Sequence, residues 1–324
     1  MKKIAIILGE PQSINSEIIA KSWLKLNKSE KKKIFLIGNY LLFKKQIKKY
    51  KLKLNVNKIA SIKDLNNKKK LYILDVPLKF KKLSNIKEKE NSNYIIKCLD
   101  IAHKIAINKD ILGFINCAID KKKVFKAKKI GVTEYLGKKN KTENREVMML
   151  YNKKLSIVPL TTHISLKEVC KKINKKLIQK KVVTITNSYK KIFSKKPLIA
   201  VLGLNPHNDE NRFNSEEKTI ILPIIKKLKK MNYKIDGPFP ADTAFSKDYI
   251  KKYDVILGMY HDQVLAPFKG MYNFDAINVT LGLKYLRLSP DHGVGENIIG
   301  KNKANCLSLI NCIKFLIKNS YEKS

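Results

Sequence analysis

Short apolar runs alternate along most of the chain with longer segments that mix polar and apolar residues. The apolar runs predict strands at 3–9, 32–39, 70–77, 111–119, 154–163, 196–207 and 253–262. Segments 92–108 and 215–231 carry apolar residues at helical spacing and predict amphipathic helices. Strand–helix alternation of this kind is typical of an α/β fold with a largely parallel sheet. In such sheets, ligands bind outside the carboxyl ends of the strands.

The chain is strongly basic, with a formal net charge of +41. Such a charge is typical of proteins that bind nucleic acids or anionic membranes. Sites that read phosphates and bases usually rely on arginine, because its planar guanidinium forms two parallel hydrogen bonds. Here 65 of the 68 basic residues are lysines spread along the whole chain. We therefore interpret the charge as a compositional bias and expect no specific nucleic-acid partner, while a non-enzymatic basic anion-binding protein stays an alternative.

Two further features bear on location. The first apolar run, residues 4–8, is too short for the core of a signal peptide, and no apolar stretch approaches the length of a membrane span. The five cysteines are scattered and form no Cys-x-x-Cys pair, which indicates reduced thiols. A cytoplasmic protein without membrane association is expected.

Three of the five histidines come directly after predicted strands. His163 ends "SIVPLTTH", His207 ends "IAVLGLNPH" and His261 ends "VILGMYH". Because the carboxyl ends of parallel strands meet at one edge of a sheet, the three imidazoles can converge there. Imidazole is the commonest protein ligand of a metal ion, and three ligands leave a position open for substrate. The pattern predicts a shared metal site, while each histidine taken alone is also compatible with an ordinary loop residue.

Further polar residues follow His261. Among them, Arg287 comes after the strand predicted over "NVTLGL" and is one of only three arginines in the chain. Because lysine replaces arginine nearly everywhere in this chain, the arginine at 287 indicates a position where the planar guanidinium binds a phosphate or carboxylate through two hydrogen bonds. A surface ion pair is the alternative. The segment "PDHGVGENIIGKNKAN" (290–305) is typical of a glycine-containing turn before a helix, with polar side chains available to a nucleotide.

Six motifs in one order match a known family. They are "TTHISL", "GLNPH", "GPFPADTAF", "MYHDQ", "NVTLGL" and "RLSPDHG". Together they resemble the 4-hydroxythreonine-4-phosphate dehydrogenase family of pyridoxal phosphate biosynthesis. The resemblance runs from "GEPQSINSEI" to "GKNKAN" and so covers most of the chain.

The resemblance implies an isocitrate/isopropylmalate-dehydrogenase-like fold of two α/β/α domains with a cleft between them. One domain would be built from both termini, 1–125 with 268–324, and would carry the nucleotide; the central domain, 126–267, would carry the metal and the dimer contacts. A homodimer with active sites at the subunit interface is implied. One divalent metal ion, Zn, Mg or Co, would be held by His163, His207 and His261.

The resemblance also implies roles for other residues. Substrate contacts would come from Thr133, Lys269, Asn278 and Arg287. Contacts to NAD or NADP would come from His292, Asn297 and Asn305. Lys269 and Asp262 would be catalytic, with Gln263 beside the metal histidine. The general base would be either Lys269 or a metal-bound hydroxide.

The implied substrate is a small phosphorylated amino acid, 4-phosphooxy-L-threonine. Its C3 hydroxyl would be oxidised with NAD or NADP as hydride acceptor, and the resulting β-keto acid would lose CO2 to give 3-amino-2-oxopropyl phosphate. The metal would polarise the C3 oxygen, while the nicotinamide would carry the redox chemistry.

Two departures from the family pattern bear on this reading. The family usually has His-Thr-Glu where this chain has "VTE" (132–134), so Val132 replaces an imidazole that contacts substrate. A dehydrogenase of a related phosphorylated four-carbon hydroxy acid therefore stays open. The family's glycine-rich loops are here "EPQSINSE" and "NPHNDENRFNSEE". Lost glycines remove freedom for positive φ, which Asn and Asp tolerate better than most residues.

Overall fold

The computed structural model describes residues 2–66, 70–82, 86–125, 131–142, 145–273 and 275–319. The chain forms two compact units: unit 1 is Met1–Lys141 with Leu283–Lys323, and unit 2 is Thr142–Gly282 with Ser324. The first predicted domain boundary, after residue 125, adjoins residues outside the described ranges. The second, after residue 267, lies inside the helix His261–Tyr272.

The described residues contain strands β1 (Lys3–Ile7), β2 (Ile34–Gly38), β3 (Val56–Ile59), β4 (Leu71–Asp75), β5 (Ile111–Asn116), β6 (Val147–Tyr151), β7 (Ser156–Pro159), β8 (Ile199–Leu202), β9 (Ile235–Phe239), β10 (Val255–Gly258), β11 (Ile277–Leu281) and β12 (Leu286–Pro290). Each predicted strand is present but ends earlier than its apolar run. No strand was predicted at β3, β6, β9 or β12. β3 and β9 mix polar or glycine and proline residues into short strands, so neither shows a continuous apolar run.

The helices are α1 (Asn15–Lys25), α2 (Lys28–Lys31), α3 (Tyr40–Lys49), α4 (Glu88–Ile107), α5 (Lys121–Phe125), α6 (Val132–Lys139), α7 (Leu166–Lys172), α8 (Lys175–Phe193), α9 (Leu222–Lys230), α10 (Lys247–Lys252), α11 (His261–Tyr272) and α12 (Leu307–Lys318). The predicted helix at 92–108 is α4. The one predicted at 215–231 begins as a π-helical turn, Glu217–Ile221, and continues as α9. In the part of the chain that the structure describes, no helix has both the length and the apolar character needed to cross a bilayer.

Unit 1 contains a parallel sheet with the strand order β3-β4-β2-β1-β5-β12. The residues of β2 are buried along its whole length, as expected for a parallel strand with both faces covered. The chain passes from β1 to β2 on one side and later places β5 on the other side of β1. The order therefore reverses between β1 and β5, and ligands of open α/β sheets bind outside the carboxyl ends at such a point.

Unit 2 contains a mixed sheet with the strand order β11-β6-β7-β10-β8-β9. β6 runs antiparallel to β11 and β7, while β7, β10, β8 and β9 are parallel. Because β10 lies between β7 and β8, the carboxyl ends of these three strands lie side by side. They are the strands that His163, His207 and His261 follow.

Candidate functional site

The ends of β7 and β10 bring two of the predicted metal ligands together. Thr161, just after β7, donates its backbone N–H and its hydroxyl to the carbonyl oxygen of Met259, just after β10, at 3.3 Å and 2.8 Å. Beyond this point the imidazole ring centroids of His163 and His261 lie 5.7 Å apart. Two imidazoles at this separation can contribute to one metal site.

His261 is the first residue of α11, which corrects the prediction of a strand over 253–262, because β10 ends at Gly258. Its Nδ1 lies 2.7 Å from Oδ1 of Asp262. A carboxylate at this distance can accept a hydrogen bond from Nδ1–H, and in the tautomer that has its proton on Nδ1 the lone pair of Nε2 is available to a metal ion. Carboxylates orient metal-binding histidines in this way. The position of Asp262 therefore fits a residue that orients His261.

His207 lies in a left-handed turn within Pro206–Asn211. The four consecutive residues His207 to Glu210 have φ between 48° and 58°. The left-handed region costs a non-glycine residue about 1–2 kcal/mol, and somewhat less for Asn and Asp. The turn therefore forms without glycine, but only because the surrounding contacts hold it.

Two side chains form hydrogen bonds with the backbone of residues 203–205, which precede this turn. Glu217 is buried, and its Oε1 accepts the backbone N–H groups of Leu204 and Asn205 at 2.7 Å and 2.8 Å. Gln263 donates its side-chain amide to the carbonyl oxygen of Gly203 at 2.7 Å, which links the end of β10 to the end of β8. Glu217 could not be predicted from the sequence, because its partners lie outside its own helical turn. Gln263 was predicted beside the metal histidine, and it serves here as a bridge between strands.

Glycine at Glu210 is expected to stabilise the protein, because Glu210 is exposed and its φ is 48°. We expect Glu210→Gly to raise the free energy of unfolding by about 0.5–1 kcal/mol, after allowing for the entropy that glycine adds to the unfolded chain. Glu210→Ala removes the same carboxylate but keeps Cβ, so it is the matched control. Thermal and denaturant unfolding compare the two variants. Equal stability of both would mean that residue 210 is not left-handed in solution.

The side chain of His207 is 72% exposed, and its Nε2 lies 3.7 Å from Oδ2 of Asp242. Within the described ranges, no group of three or more His, Cys, Asp and Glu side chains is arranged so that it could hold a metal ion. The structure thus places the rings of His163 and His261 side by side, and the described residues contain no three-ligand group that includes His207.

Two predicted substrate contacts meet in unit 1. Arg287 on β12 is buried, and its Nη1 lies 3.4 Å from Oγ1 of Thr133, which accepts the hydrogen bond. Its Nε donates to Oδ1 of Asn116 at 2.6 Å. Burial lowers the pKa of the Arg287 guanidinium to about 10, which leaves it charged at neutral pH. Asn116 was not predicted as a site residue, although it shows the same signal as the histidines, a polar residue at the end of an apolar strand.

Lys121, the first residue of α5, adds a second cation to this region. Its pKa is lowered, first by partial burial and second by the positive charge of Arg287. Like charges that disfavour each other's ionised form are relieved by a bound anion. The carboxylate of Glu134 offsets part of this repulsion, because it raises the pKa of both cations. These three groups together carry one net positive charge, which favours an anionic group.

Val132 occupies the position of the family's histidine, at the start of α6. It is 3% exposed and belongs to the unit 1 core, together with Leu136 and Phe114. The side chain at position 132 thus contributes apolar packing, and it offers no polar group to a substrate.

The remaining substrate candidates lie in unit 2. Asn278 on β11 has a buried Oδ1 with no hydrogen-bond partner among the residues that the structure describes. A buried acceptor without a partner is costly, which points to a donor supplied by a ligand or water. Lys269 is exposed on α11.

The predicted cofactor contacts lie in the segment that precedes α12. Nδ1 of His292 lies 2.9 Å from the carbonyl oxygen of Gly293 and donates to it, and Nε2 is buried without a partner in the described part of the chain. Burial lowers the pKa of His292, so the ring is neutral and Nε2 is an acceptor. Oδ1 of Asn305 accepts the N–H of Leu307 at 2.8 Å and so caps α12, while Asn297 is exposed.

Comparison with known proteins identifies close relatives. A profile of the family described as "Pyridoxal phosphate biosynthetic protein PdxA" matches residues 30–316. The 4-hydroxythreonine-4-phosphate dehydrogenase of Sulfurihydrogenibium sp. (strain YO3AOP1) is 37% identical over 330 residues, which cover 98% of each chain. A Clostridium botulinum relative (strain Langeland / NCTC 10281 / Type F), whose name proposes a D-threonate 4-phosphate dehydrogenase, is 30% identical over 98% of this chain and 96% of its own.

Solved structures share the fold. The crystal structure of 4-hydroxythreonine-4-phosphate dehydrogenase from Klebsiella pneumoniae matches with a TM-score of 0.86 and 26% identity, covering 98% of this chain and 99% of that one. The predicted α/β fold class is confirmed.

Proposed function

The chain belongs to the family described as pyridoxal phosphate biosynthetic protein PdxA, and we propose that it is a 4-hydroxythreonine-4-phosphate dehydrogenase of vitamin B6 biosynthesis. In the proposed reaction, the C3–H bond of 4-phosphooxy-L-threonine breaks and its hydride reduces NAD or NADP, while the C3 hydroxyl loses its proton. The carboxylate then leaves as CO2, and protonation of the resulting enol gives 3-amino-2-oxopropyl phosphate. The observation that carries the proposal is the adjacent pair His163 and His261, the latter beside Asp262, in a chain of this family.

The proposed metal ligands are His163, His207 and His261. Their imidazole nitrogens fit Zn or Co better than Mg, which prefers oxygen ligands. When bound, such an ion polarises the C3 oxygen of the substrate. Asp262 is proposed to hold the proton of His261 on Nδ1, which would leave the lone pair of Nε2 for the metal ion.

The anionic substrate is proposed to bind to cationic side chains and to a buried hydrogen-bond acceptor. Arg287, with Thr133 at its guanidinium and Lys121 nearby, is proposed to bind a phosphate or carboxylate oxygen. The buried Oδ1 of Asn278 is proposed to accept from the substrate ammonium group, since it needs a donor. Lys269 is proposed to take the proton of the C3 hydroxyl.

The nicotinamide cofactor is proposed to contact His292, Asn297 and Asn305. Nε2 of His292 is a buried acceptor, so it suits an amino or hydroxyl group of the adenosine portion. The side-chain amide nitrogen of Asn305 remains a donor while its oxygen caps α12.

A homodimer with active sites at its interface is also proposed. Apolar side chains that follow the proposed metal ligands along the chain are exposed: Phe213 by 83%, Leu166 by 66% and Ile164 by 41%. A second copy of the chain that covers them would bury this apolar surface, which is the main driving force of stable association.

NADH or NADPH formation from 4-phosphooxy-L-threonine tests the proposed function. We expect turnover with one of the two nicotinamides, its loss on treatment with a chelator, and its return when Zn or Co is added. Absorbance of the reduced nicotinamide measures the rate, and release of CO2 checks the decarboxylation. A purified, folded chain that produces no reduced nicotinamide with the metal restored would contradict the proposal.

A second candidate is the oxidation of D-threonate 4-phosphate, which lacks the amine. Two observations favour this candidate: the name of the Clostridium botulinum relative, and the buried apolar Val132 at a position where the family usually has a histidine. The same assay on both substrates decides between them, because the ratio of kcat/KM values measures which transition state the protein binds better.

A further inference from the structure

We infer that Glu17 and Lys21 of α1 are positioning residues for the cofactor loop, residues 292–306. The inference rests on the proposed function, because it takes the nicotinamide cofactor to bind at this loop. Glu17 lies in the segment "GEPQSINSEI" that begins the family resemblance, Lys21 lies outside it, and neither residue is proposed to touch the substrate or the cofactor.

The contacts between α1 and the loop converge on one ion pair. Glu17 is fully buried. Its Oε1 accepts hydrogen bonds from Nζ of Lys21 at 2.7 Å and from the backbone N–H of Ala304 at 2.8 Å. Nζ of Lys21 also donates to the carbonyl oxygens of Asn302 and Ala304 at 2.9 Å and 3.2 Å. Two side chains one helical turn apart thus satisfy three backbone groups of the loop.

The rest of the loop is held by single contacts, two before the ion pair and one after it, where the hydroxyl of Ser22 donates to the carbonyl oxygen of Cys306 at 3.5 Å. Ile14 donates its backbone N–H to the carbonyl oxygen of Val294 at 3.0 Å, and Gly300 donates to the hydroxyl of Tyr50 at 3.2 Å. Asn302 has a φ of 57°, a left-handed conformation that needs support from its surroundings. The ion pair therefore fixes the part of the loop between the two proposed cofactor contacts Asn297 and Asn305.

The ion pair is better suited to fixing geometry than to stabilising the fold. Oε2 of Glu17 is buried and has no hydrogen-bond partner in the described residues, so the carboxylate is only partly satisfied. Buried ion pairs contribute little net stability, because desolvation offsets most of the attraction. What Glu17 and Lys21 supply is one fixed arrangement of the backbone at 302–304. A loop ordered in advance lowers the entropic cost of binding the cofactor.

Lys21→Met is expected to weaken binding of the reduced nicotinamide about tenfold, as for the loss of charge-assisted hydrogen bonds. KM for the nicotinamide should rise in parallel, while kcat and KM for the phosphorylated substrate stay close to those of the parent. Lys25→Met is the matched control, because Lys25 is exposed on the same helix. Lys21→Arg keeps the charge and the donors, so it should restore most of the affinity.

Two measurements separate positioning from general damage. Fluorescence titration gives the dissociation constant without turnover, and hydrogen exchange at 300–306 reports the order of the loop in the full-length chain. We expect faster exchange there in Lys21→Met and parent-like exchange in Lys25→Met. If Lys21→Met does not fold, Glu17→Gln carries the same expectation, because it keeps an acceptor for Ala304 and removes the charge.

The outcomes distinguish the two proposals. Parent-like affinity and exchange in the folded Lys21→Met protein would overturn the positioning role while leaving the proposed function intact. A parent chain that binds neither NADH nor NADPH would overturn both. An equal rise of the nicotinamide and substrate KM values would also overturn the positioning role, since it would show a general loss of structure.

Discussion

Alanine at His163 or at His207 is expected to remove the metal and abolish turnover, and mixing the two variants is expected to restore about a quarter of the parent activity. The rings of His163 and His261 are adjacent within one chain, whereas His207 is mostly exposed and near Asp242. If the proposed dimer completes the site, His207 comes from the second copy. A mixed dimer would then hold one site with both defects and one intact site.

The expected quarter follows from random exchange of subunits, in which about half of the dimers are mixed and each carries one intact site of two. The metal content of each variant and the activity of the mixture, after unfolding and refolding together, measure it. A mixture no more active than the single variants would show that all three ligands come from one chain. Full metal and turnover in either single variant would show that its histidine is not a ligand.

Arg287→Lys is expected to lower kcat/KM at least tenfold while the fold, the metal and nicotinamide binding are kept. The arginine is buried, and its Nε and Nη1 reach Asn116 and Thr133 at the same time. Lysine keeps the charge but lacks the planar guanidinium, so it cannot contact Asn116 and Thr133 and bind an anion at the same time. Loss of one charge-assisted hydrogen bond costs about 1.5–3 kcal/mol, or roughly 10- to 150-fold in kcat/KM.

The matched control is Arg145→Lys, the same change at an exposed position. A substrate analogue without the anionic group that Arg287 binds should show a smaller loss, because that contact is already absent. Melting temperature and nicotinamide affinity check that the Arg287 variant is intact. Parent kcat and KM in a folded Arg287→Lys protein would mean that this residue is structural, and the substrate-binding assignment built on it would fail.

The sequence alone was sufficient for the fold class and for the expectation that His163 and His261 lie together. Fully buried strands such as β2, β8 and β10 are continuous apolar runs, because both faces of a parallel sheet are covered. Histidines that follow such runs lie at the carboxyl edge of the sheet. That reasoning predicted the neighbourhood of His163 and His261, and the motifs predicted the family. These signals are local, since periodicity and strand ends report how each segment is buried.

Only the tertiary structure decided which distant groups meet. Three hydrogen bonds show this, because each joins residues far apart in the chain: Arg287 to Asn116, Gln263 to Gly203, and Ala304 to Glu17. Which strands become neighbours depends on the packing of the whole unit, and no local pattern reports it. The same holds for His207, whose strand-end position was read correctly. The four left-handed residues that begin at His207 depart from their own conformational preference, so no local pattern predicted this turn or the exposure of the His207 side chain.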